Sequence, residues 1–435
     1  MKKEIIEKIL NSKKNLIVSG NISSGKTLNV LFPLVEEIIN RNQSFLVVDS
    51  KEEYINRYYN DLKNKNYNII ILNLRDLNKS EGWNPLEYPY NLYKNGKIDE
   101  AINYIENQAN IIFCEKNNAD PFWSECASDF YTGIVLGLFE DGKMNEINLN
   151  SVDLMFNEAN HKFKMSDYLV EYIKTKNSSS QPYIFTSSTI LAPRETRESI
   201  LSTAKHKLRV YVSREMLSHL LNKTTFDYND ILTKPTAIIL IVKDENKYIN
   251  SVATMFIEQL FSILMDSKNQ KEFDFLLDNI DILENVQELL INMLGSGISR
   301  NIKFEIATRS YEDLIKKYGH YITNLCNSVK IDKDIKLLVD NEEFVEKTEF
   351  LAPPIVNMDI EYPCLKQDTI KTFNIKEFVN SKNDNILDLN SANIDKMIKD
   401  LDEKIEELNI EEKIEKIEDA NISVQSDFEQ FKIEE

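Results

Sequence analysis

The chain has 435 residues, 42% of them hydrophobic, and a formal net charge of −19, which gives length for two or three domains with sizeable cores. The acidic balance excludes a broad basic surface, so any nucleic-acid contact must be local, in a channel or loop, because affinity rests on neutralising phosphates. No apolar run approaches the roughly 18 residues of a membrane span, and Cys114, Cys126, Cys326 and Cys364 lack C-x-x-C spacing, which predicts reduced thiols, a cytosolic setting and no metal cluster.

The first fifteen residues, MKKEIIEKILNSKKN, read as an amphipathic charged helix and not as the apolar core of a cleavable signal. Asn15 to Ser19 is an apolar run that predicts a buried strand, and Leu28 to Arg41 carries apolar residues at helical spacing. Between them lies the octet Gly20, Asn21, Ile22, Ser23, Ser24, Gly25, Lys26, Thr27, which fits the phosphate-loop pattern G-x-x-x-x-G-K-[ST] at every fixed position. In a strand-loop-helix setting its backbone amides and the helix N-terminus face phosphates, Lys26 reaches the terminal ones, and the Thr27 hydroxyl can ligate magnesium. Nucleotide binding is therefore the first functional expectation.

A second strand, SFLVVDSKEEY at 44 to 54, ends in Asp49, and a third, YNIIILNL, covers 67 to 74. Strand and helix in alternation predict a parallel sheet. From 86 to 195 strand signals give way to long amphipathic stretches. Strands return at 236–242, 273–280, 302–308 and 327–331, separated by helices such as Ile249 to Met265. The expected architecture is thus α/β, with a phosphate-loop nucleotide domain in two parts, residues 1–85 and 196–345, around an all-helical insertion at 86–195. Residues 346–435 form an acidic tail, helical or disordered. Its last part, 381–435, holds about 17 acidic and 7 basic side chains, about half of the net charge. Ile394, Ile398, Leu401, Ile405 and Leu408 form a helical stripe there. His161, His206, His219 and His320 show no ligand spacing.

Five stretches together make the chain resemble the conjugative coupling proteins of type IV secretion, the TraG/TraD-like hexameric ATPases. They are the phosphate loop with Pro33 in its helix; VVDSKEEY, similar to that family's D-P-K-G-E; and ILNLRDLNKSEGWNPLEY at 71–88, similar to its L-N-L and N-P-L motifs. The others are DPFWSECASDFYTGIVLGLF at 120–139, similar to its D-P-F-W block, and LLDNIDIL followed by IATRSYEDLIKKYG. The likeness spans roughly residues 10 to 335. It implies a RecA-like motor domain, an all-helical domain between its halves, a homohexamer, ATP and Mg2+ as cofactors, and single-stranded DNA or a relaxase–DNA complex as cargo. By the same resemblance Lys26 and Thr27 bind phosphates and magnesium, and Asp278 positions magnesium. Asp120 and Trp123 belong to the helical domain, where Trp123 is expected in the core, with stacking on a base as the alternative.

The departures concern hydrolysis. Asn279 stands where the family has a glutamate that acts as base, and an amide cannot accept that proton. Arg309 stands where the family has a phosphate-sensing glutamine, and Arg300 lies two residues from the position of its arginine finger, near Ile298. Asp281 and Glu284 are alternative carboxylates. The family commonly has two N-terminal membrane helices, whereas this chain begins about fifteen residues before its first strand. A cytoplasmic protein held at the inner face of the membrane by membrane-anchored secretion partners is expected. Three readings follow: a DNA-handling coupling-protein motor, a nucleotide-binding adaptor or assembly subunit with hydrolysis weak or lost, and an unrelated phosphate-loop enzyme such as a small-molecule kinase. The order of the motifs disfavours the last.

Overall fold

The computed structural model describes residues 1–113, 120–158, 161–163, 166–243, 247–268, 271–283, 287–348, 360–382 and 399. Two units divide the chain, residues 1–374 and 375–435. In the second, residues 375–382 are helical, and the Ile394 to Leu408 stripe lies outside the described residues.

The chain opens with α1 (Lys3–Asn11), whose Ile5, Ile6, Ile9 and Leu10 make a buried stripe at helical spacing. Next come β1 (Asn15–Gly20), the glycine-rich loop, a wide π-type turn over Thr27–Leu31 and α2 (Phe32–Asn40). Pro33 explains the wide turn. It has no N–H to give the carbonyl four residues back, and the Phe32 N–H bonds to the carbonyl of Thr27, five residues back. β2 (Ser44–Asp49), α3 (Glu53–Asn64) and β3 (Asn68–Asn73) complete the first part of the core.

A long helical stretch follows: α4 (Glu87–Lys94), α5 (Ile98–Phe113), α6 (Phe122–Asp141), α7 (Leu149–Glu158), α8 (Tyr168–Lys174), α9 (Gln181–Ile190), α10 (Arg194–Val212), α11 (Glu215–Leu220) and α12 (Tyr228–Thr233). Two-residue strands, β4 (Lys162–Phe163) and β5 (Ser166–Asp167), interrupt it. The helices do not stop near residue 195 but continue to Thr233. The core then resumes with β6 (Thr236–Ile241), α13 (Lys247–Asp266), β7 (Phe273–Leu277), α14 (Gln287–Gly297), β8 (Ile302–Thr308), α15 (Tyr311–Tyr318), α16 (Ile322–Leu325) and β9 (Cys326–Ile331). A hairpin, β10 (Asp334–Val339) and β11 (Glu342–Lys347), ends the sheet.

The nine strands lie in the order β11-β10-β9-β1-β8-β7-β2-β6-β3. From β9 to β3 every pairing is parallel, while β9, β10 and β11 pair antiparallel. Parallel strands are covered on both faces, so they read as unbroken apolar runs; all six residues of β6 are buried. One face packs on α1, α2 and α3, through Val47, Leu276 and Val329 among others. The other carries α13, where Phe261 meets the rings of Phe275 and Phe304, themselves stacked at 4.8 Å.

Trp83 joins the helical insertion to this second face. It is 0% exposed, its N–H accepted by Tyr228 Oη at 2.9 Å and Gln259 Oε1 at 3.1 Å. On the same side Asn107 of α5 donates to Glu258 Oε1 of α13 at 2.6 Å, Ser262 donates to the same oxygen at 2.9 Å, and Tyr104 donates to Asp266 at 3.0 Å. Burial pushes the Glu258 carboxyl up from 4.5 to about 7, although both hydrogen bonds oppose the shift. A raised folded-state value means that the folded protein holds a proton which the unfolded chain releases near pH 4.5. The stabilisation is therefore full below that pH and is lost as pH rises through 7. Glu258→Gln, which mimics the protonated form, should match wild type in urea denaturation at pH 4 and exceed it by about 3 kcal/mol at pH 8.5, given roughly 1.4 kcal/mol per unit.

Candidate nucleotide site

The glycine-rich loop turns from the end of β1 into the π-type turn with Ser23 and Gly25 at positive φ, 62° and 86°. At Gly20 the constraint is space. A Cβ there would sit 2.5 Å from Ser24 Oγ and 2.9 Å from the Ile331 carbonyl oxygen of β9. Lys26 Nζ donates to the carbonyls of Gly20 and Asn21 at 2.6 and 3.1 Å. Burial holds its pKa below the usual lysine value, opposed by the charge of Asp278. Ile22, 73% exposed, stands at the tip of the loop.

Asp278 follows the last residue of β7, and its Oδ2 accepts hydrogen bonds from the Thr27 hydroxyl at 2.9 Å and the Tyr54 hydroxyl at 3.1 Å. Its carboxyl is pushed up by burial, and the two hydroxyl donors and Lys26 pull it back toward the ionised form. Beside it, Asp49 ends β2 at 2% exposure. Its carboxylate accepts the backbone N–H groups of Lys51 and Glu53 at 3.1 Å each and of Tyr54 at 3.0 Å, and so caps α3. Burial raises Asp49 to about 6 against those three bonds. These groups surround a cleft of about 500 Å³ lined by the loop from Ile22 to Leu28, by Asp49, Lys51 and Glu53, and by Asp278, Asn279, Thr308 and Arg309. A cleft of that size at the carboxyl ends of parallel strands is where open α/β sheets take ligands.

The structure therefore gathers the octet, Asp278, Asn279 and Arg309 in one place. Asn279 has φ 67° and ψ 65°, a left-handed conformation that asparagine tolerates better than glutamate does. Among the described residues its buried Oδ1 has no hydrogen-bond partner. Asp281 lies just outside the lining and accepts from the Thr308 hydroxyl at 3.4 Å, while Glu284 lies outside the described residues. Arg300 precedes β8 at the opposite end of the sheet and donates to the Met265 carbonyl at 2.9 Å, so it is not part of this chain's own cleft. Trp123 is half-buried against the ring of Phe122 at 5.0 Å, which corrects the expectation of a core residue. Sequence reading assigned no role to Lys51, Glu53, Tyr54 or Thr308. The first three sit in the quoted DSKEEY stretch, which was the available signal.

A glycine-rich loop between β1 and its helix, a lysine inside it, and a threonine paired with an aspartate at the end of a neighbouring strand define a phosphate-loop nucleotide-binding protein with a RecA-like sheet. Residues 9–290 match the family described as Type IV secretory system Conjugative DNA transfer, and the chain belongs to it. No curated protein matches the chain in sequence. Among solved structures it is similar to the bacterial conjugative coupling protein TrwBdeltaN70 in an unbound form, with 12% identity, TM-score 0.54 and coverage of 79% of each chain. It is also similar to TrwB in complex with the ATP analogue ADPNP, with 12% identity, TM-score 0.54 and coverage of 83% of this chain and 88% of that one. The TrwB complex with ADP and Mg2+ gives 13% identity, TM-score 0.53 and coverage of 83% and 87%. At these identities the likeness concerns the fold.

Because two hydroxyls converge on one buried oxygen, their removal should be non-additive. Thr27→Val and Tyr54→Phe should each cost about 1–2 kcal/mol, and the double variant about 1 kcal/mol more than their sum, since Asp278 Oδ2 then loses both donors. Urea denaturation of the four proteins without magnesium measures this.

Proposed function

We propose that the chain is an ATP-driven coupling-protein motor that handles DNA in conjugative transfer, with ATP and magnesium in the cleft described above. The observation that carries this reading is the Thr27–Asp278 pair beside Lys26 in a chain of the conjugative DNA transfer family. The octet Gly20 to Thr27 would hold the phosphates. Thr27 and Asp278 would hold magnesium, whose charge offsets that of the terminal phosphates. Arg309, at the end of β8, adds a further cation to the same cleft.

Hydrolysis needs a proton acceptor other than Asn279. Asp49 is committed to three backbone N–H groups. Glu53, in the cleft lining, and Asp281, beside Thr308, are the carboxylates in place to assist. The likeness to coupling proteins supports a homohexamer that works on single-stranded DNA or a relaxase–DNA complex. Among the described residues no helix is long and apolar enough to cross a membrane. The likeness to coupling proteins also supports membrane-anchored secretion components as partners.

The test is steady-state ATP hydrolysis with and without single-stranded DNA. Wild type should turn over slowly and accelerate with DNA, and Lys26→Ala should lower the rate at least about 100-fold. Asn279→Glu should raise it by about tenfold or more, since base assistance is typically worth 10²- to 10⁴-fold and part is lost to the left-handed backbone. A wild-type rate equal to that of Lys26→Ala would overturn the motor reading.

A further inference from the structure

Residues 360–374 have no regular secondary structure, lie beyond the segment that matches the family, and run from the nucleotide cleft to the helical insertion. At one end the Glu361 N–H donates to Tyr59 Oη at 3.2 Å, Lys63 pairs with Glu361 at 2.8 Å, and the Tyr362 hydroxyl donates to Glu52 Oε2 at 3.0 Å. Lys79 lies 5.2 Å from the centre of the Tyr362 ring. Midway, the Leu365 N–H donates to the Asn78 carbonyl at 3.2 Å, with its side chain buried. At the other end Asn148 donates to the Lys371 carbonyl at 2.8 Å and the Phe373 N–H donates to Ser151 Oγ of α7 at 3.0 Å. The buried Phe373 ring meets Tyr172 of α8 edge-on at 6.0 Å.

The contact at Glu52 gives this segment a task. Glu52 sits at φ 60° and ψ 24°, a left-handed conformation that costs a glutamate about 1 kcal/mol or more and persists only when its surroundings hold it. In the D-P-K-G-E motif that DSKEEY resembles, this position is a glycine, which needs no such support. Here the neighbours on both sides, Lys51 and Glu53, line the cleft. The backbone of the turn is held by Asp49 from inside, through the N–H groups of Lys51, Glu53 and Tyr54, and by Arg75 and Asn56, which donate to the carbonyls of Ser50 and Glu52; Tyr362 holds the Glu52 side chain from outside, through its carboxylate.

We propose that residues 360–374 are a strap that ties the 50–53 loop of the cleft to the helical insertion, and that Tyr362 is a positioning residue of the cleft acting through Glu52. The strap replaces the conformational freedom of a glycine with a tether, so that the loop's geometry depends on where the insertion stands. That the loop serves a nucleotide rests on the function proposed above; the mechanical part does not.

Hydrogen–deuterium exchange of the full chain without nucleotide tests the mechanical part. In Tyr362→Phe, which keeps the ring and removes only the hydroxyl, the amides of Lys51, Glu53 and Tyr54 should exchange about three- to tenfold faster than in wild type. In a Glu52→Gly background the same substitution should change them less than twofold, because glycine needs no support. Phe373→Ala, at the far anchor, should speed them at least twofold. Equal acceleration by Tyr362→Phe in the wild-type and Glu52→Gly backgrounds would overturn the role of Tyr362, and an unchanged rate in Phe373→Ala would overturn the tether. Fluorescent mant-ATP with magnesium then reads the cleft: Tyr362→Phe should bind it about three- to tenfold more weakly, with normal affinity in the double variant Glu52→Gly, Tyr362→Phe. Absence of binding in wild type would sink the nucleotide reading and leave the exchange result standing.

Discussion

Thr27, Tyr54 and Asp278 belong to segments that follow three different strands, and the structure joins them at a single carboxylate oxygen. The helix behind β1 supplies one hydroxyl, the helix behind β2 the other, and β7 the carboxylate. Desolvating that oxygen without donors would push Asp278 toward its neutral form. The two donors oppose that shift without cancelling it, and each segment is held at a set distance from the others. The glycine-rich loop, the Asp49 turn and the end of β7 thus form one rigid corner, and the cleft is the space that this corner encloses.

The corner works because the sheet is parallel there. Seven strands from β9 to β3 end on the same side, so loops far apart in sequence converge without any long excursion of their own. The large excursion leaves from the carboxyl end of β3, the edge strand, and returns at β6, its neighbour in the sheet. An insertion placed between adjacent strands leaves their pairing intact. It is secured by Trp83 and by the polar contacts of α5 with α13, which include a buried carboxyl group. Covalent continuity and packing here serve different ends: the first fixes where the insertion is attached, the second how it is oriented.

Much of this was legible in the sequence for a simple reason. Strands buried on both faces are mostly apolar, and β1, β2, β3, β6, β7, β8 and β9 all lie where the apolar runs fall, even though β7 and β8 also bury Asp274 and Glu305. The β10–β11 hairpin was not foreseen because half of its side chains face water, as the alternation in DIKLLVDNEEFVEK records; its turn, Asp340 and Asn341 with φ of 47° and 70°, is the two-residue type that favours such residues. The octet and Asp278 were recognisable because their chemistry dictates residue type. The roles of Tyr54, Glu53 and Glu52 were not, since a tyrosine and two glutamates at the start of a helix look like an ordinary amphipathic turn. Tyr362, at the far end of the chain from Glu52, leaves no local trace at all. Trp123 misled because a tryptophan in an apolar helix is usually interior, whereas this one stands at the helix's first turn, half in water.

The position of β1 in the sheet has a further consequence. It is the first strand of the chain, it buries Leu16, Ile17 and Val18 almost completely, and both of its partners, β8 and β9, come near the end of the core. During synthesis, at roughly 5–20 residues per second, those partners appear about 15–60 seconds after β1 leaves the ribosome. For that interval an apolar strand with two open edges has nothing native to pair with, the state in which nascent chains aggregate or engage a holdase. The amphipathic α1, made just before it, and α2 and α3, made soon after, pack on the same face in the finished fold and can shield that face early, though not its edges. The site at the end of β1 is encoded early and completed late, so a chain stopped before residue 302 would carry an entire phosphate loop and neither of the strands that flank β1.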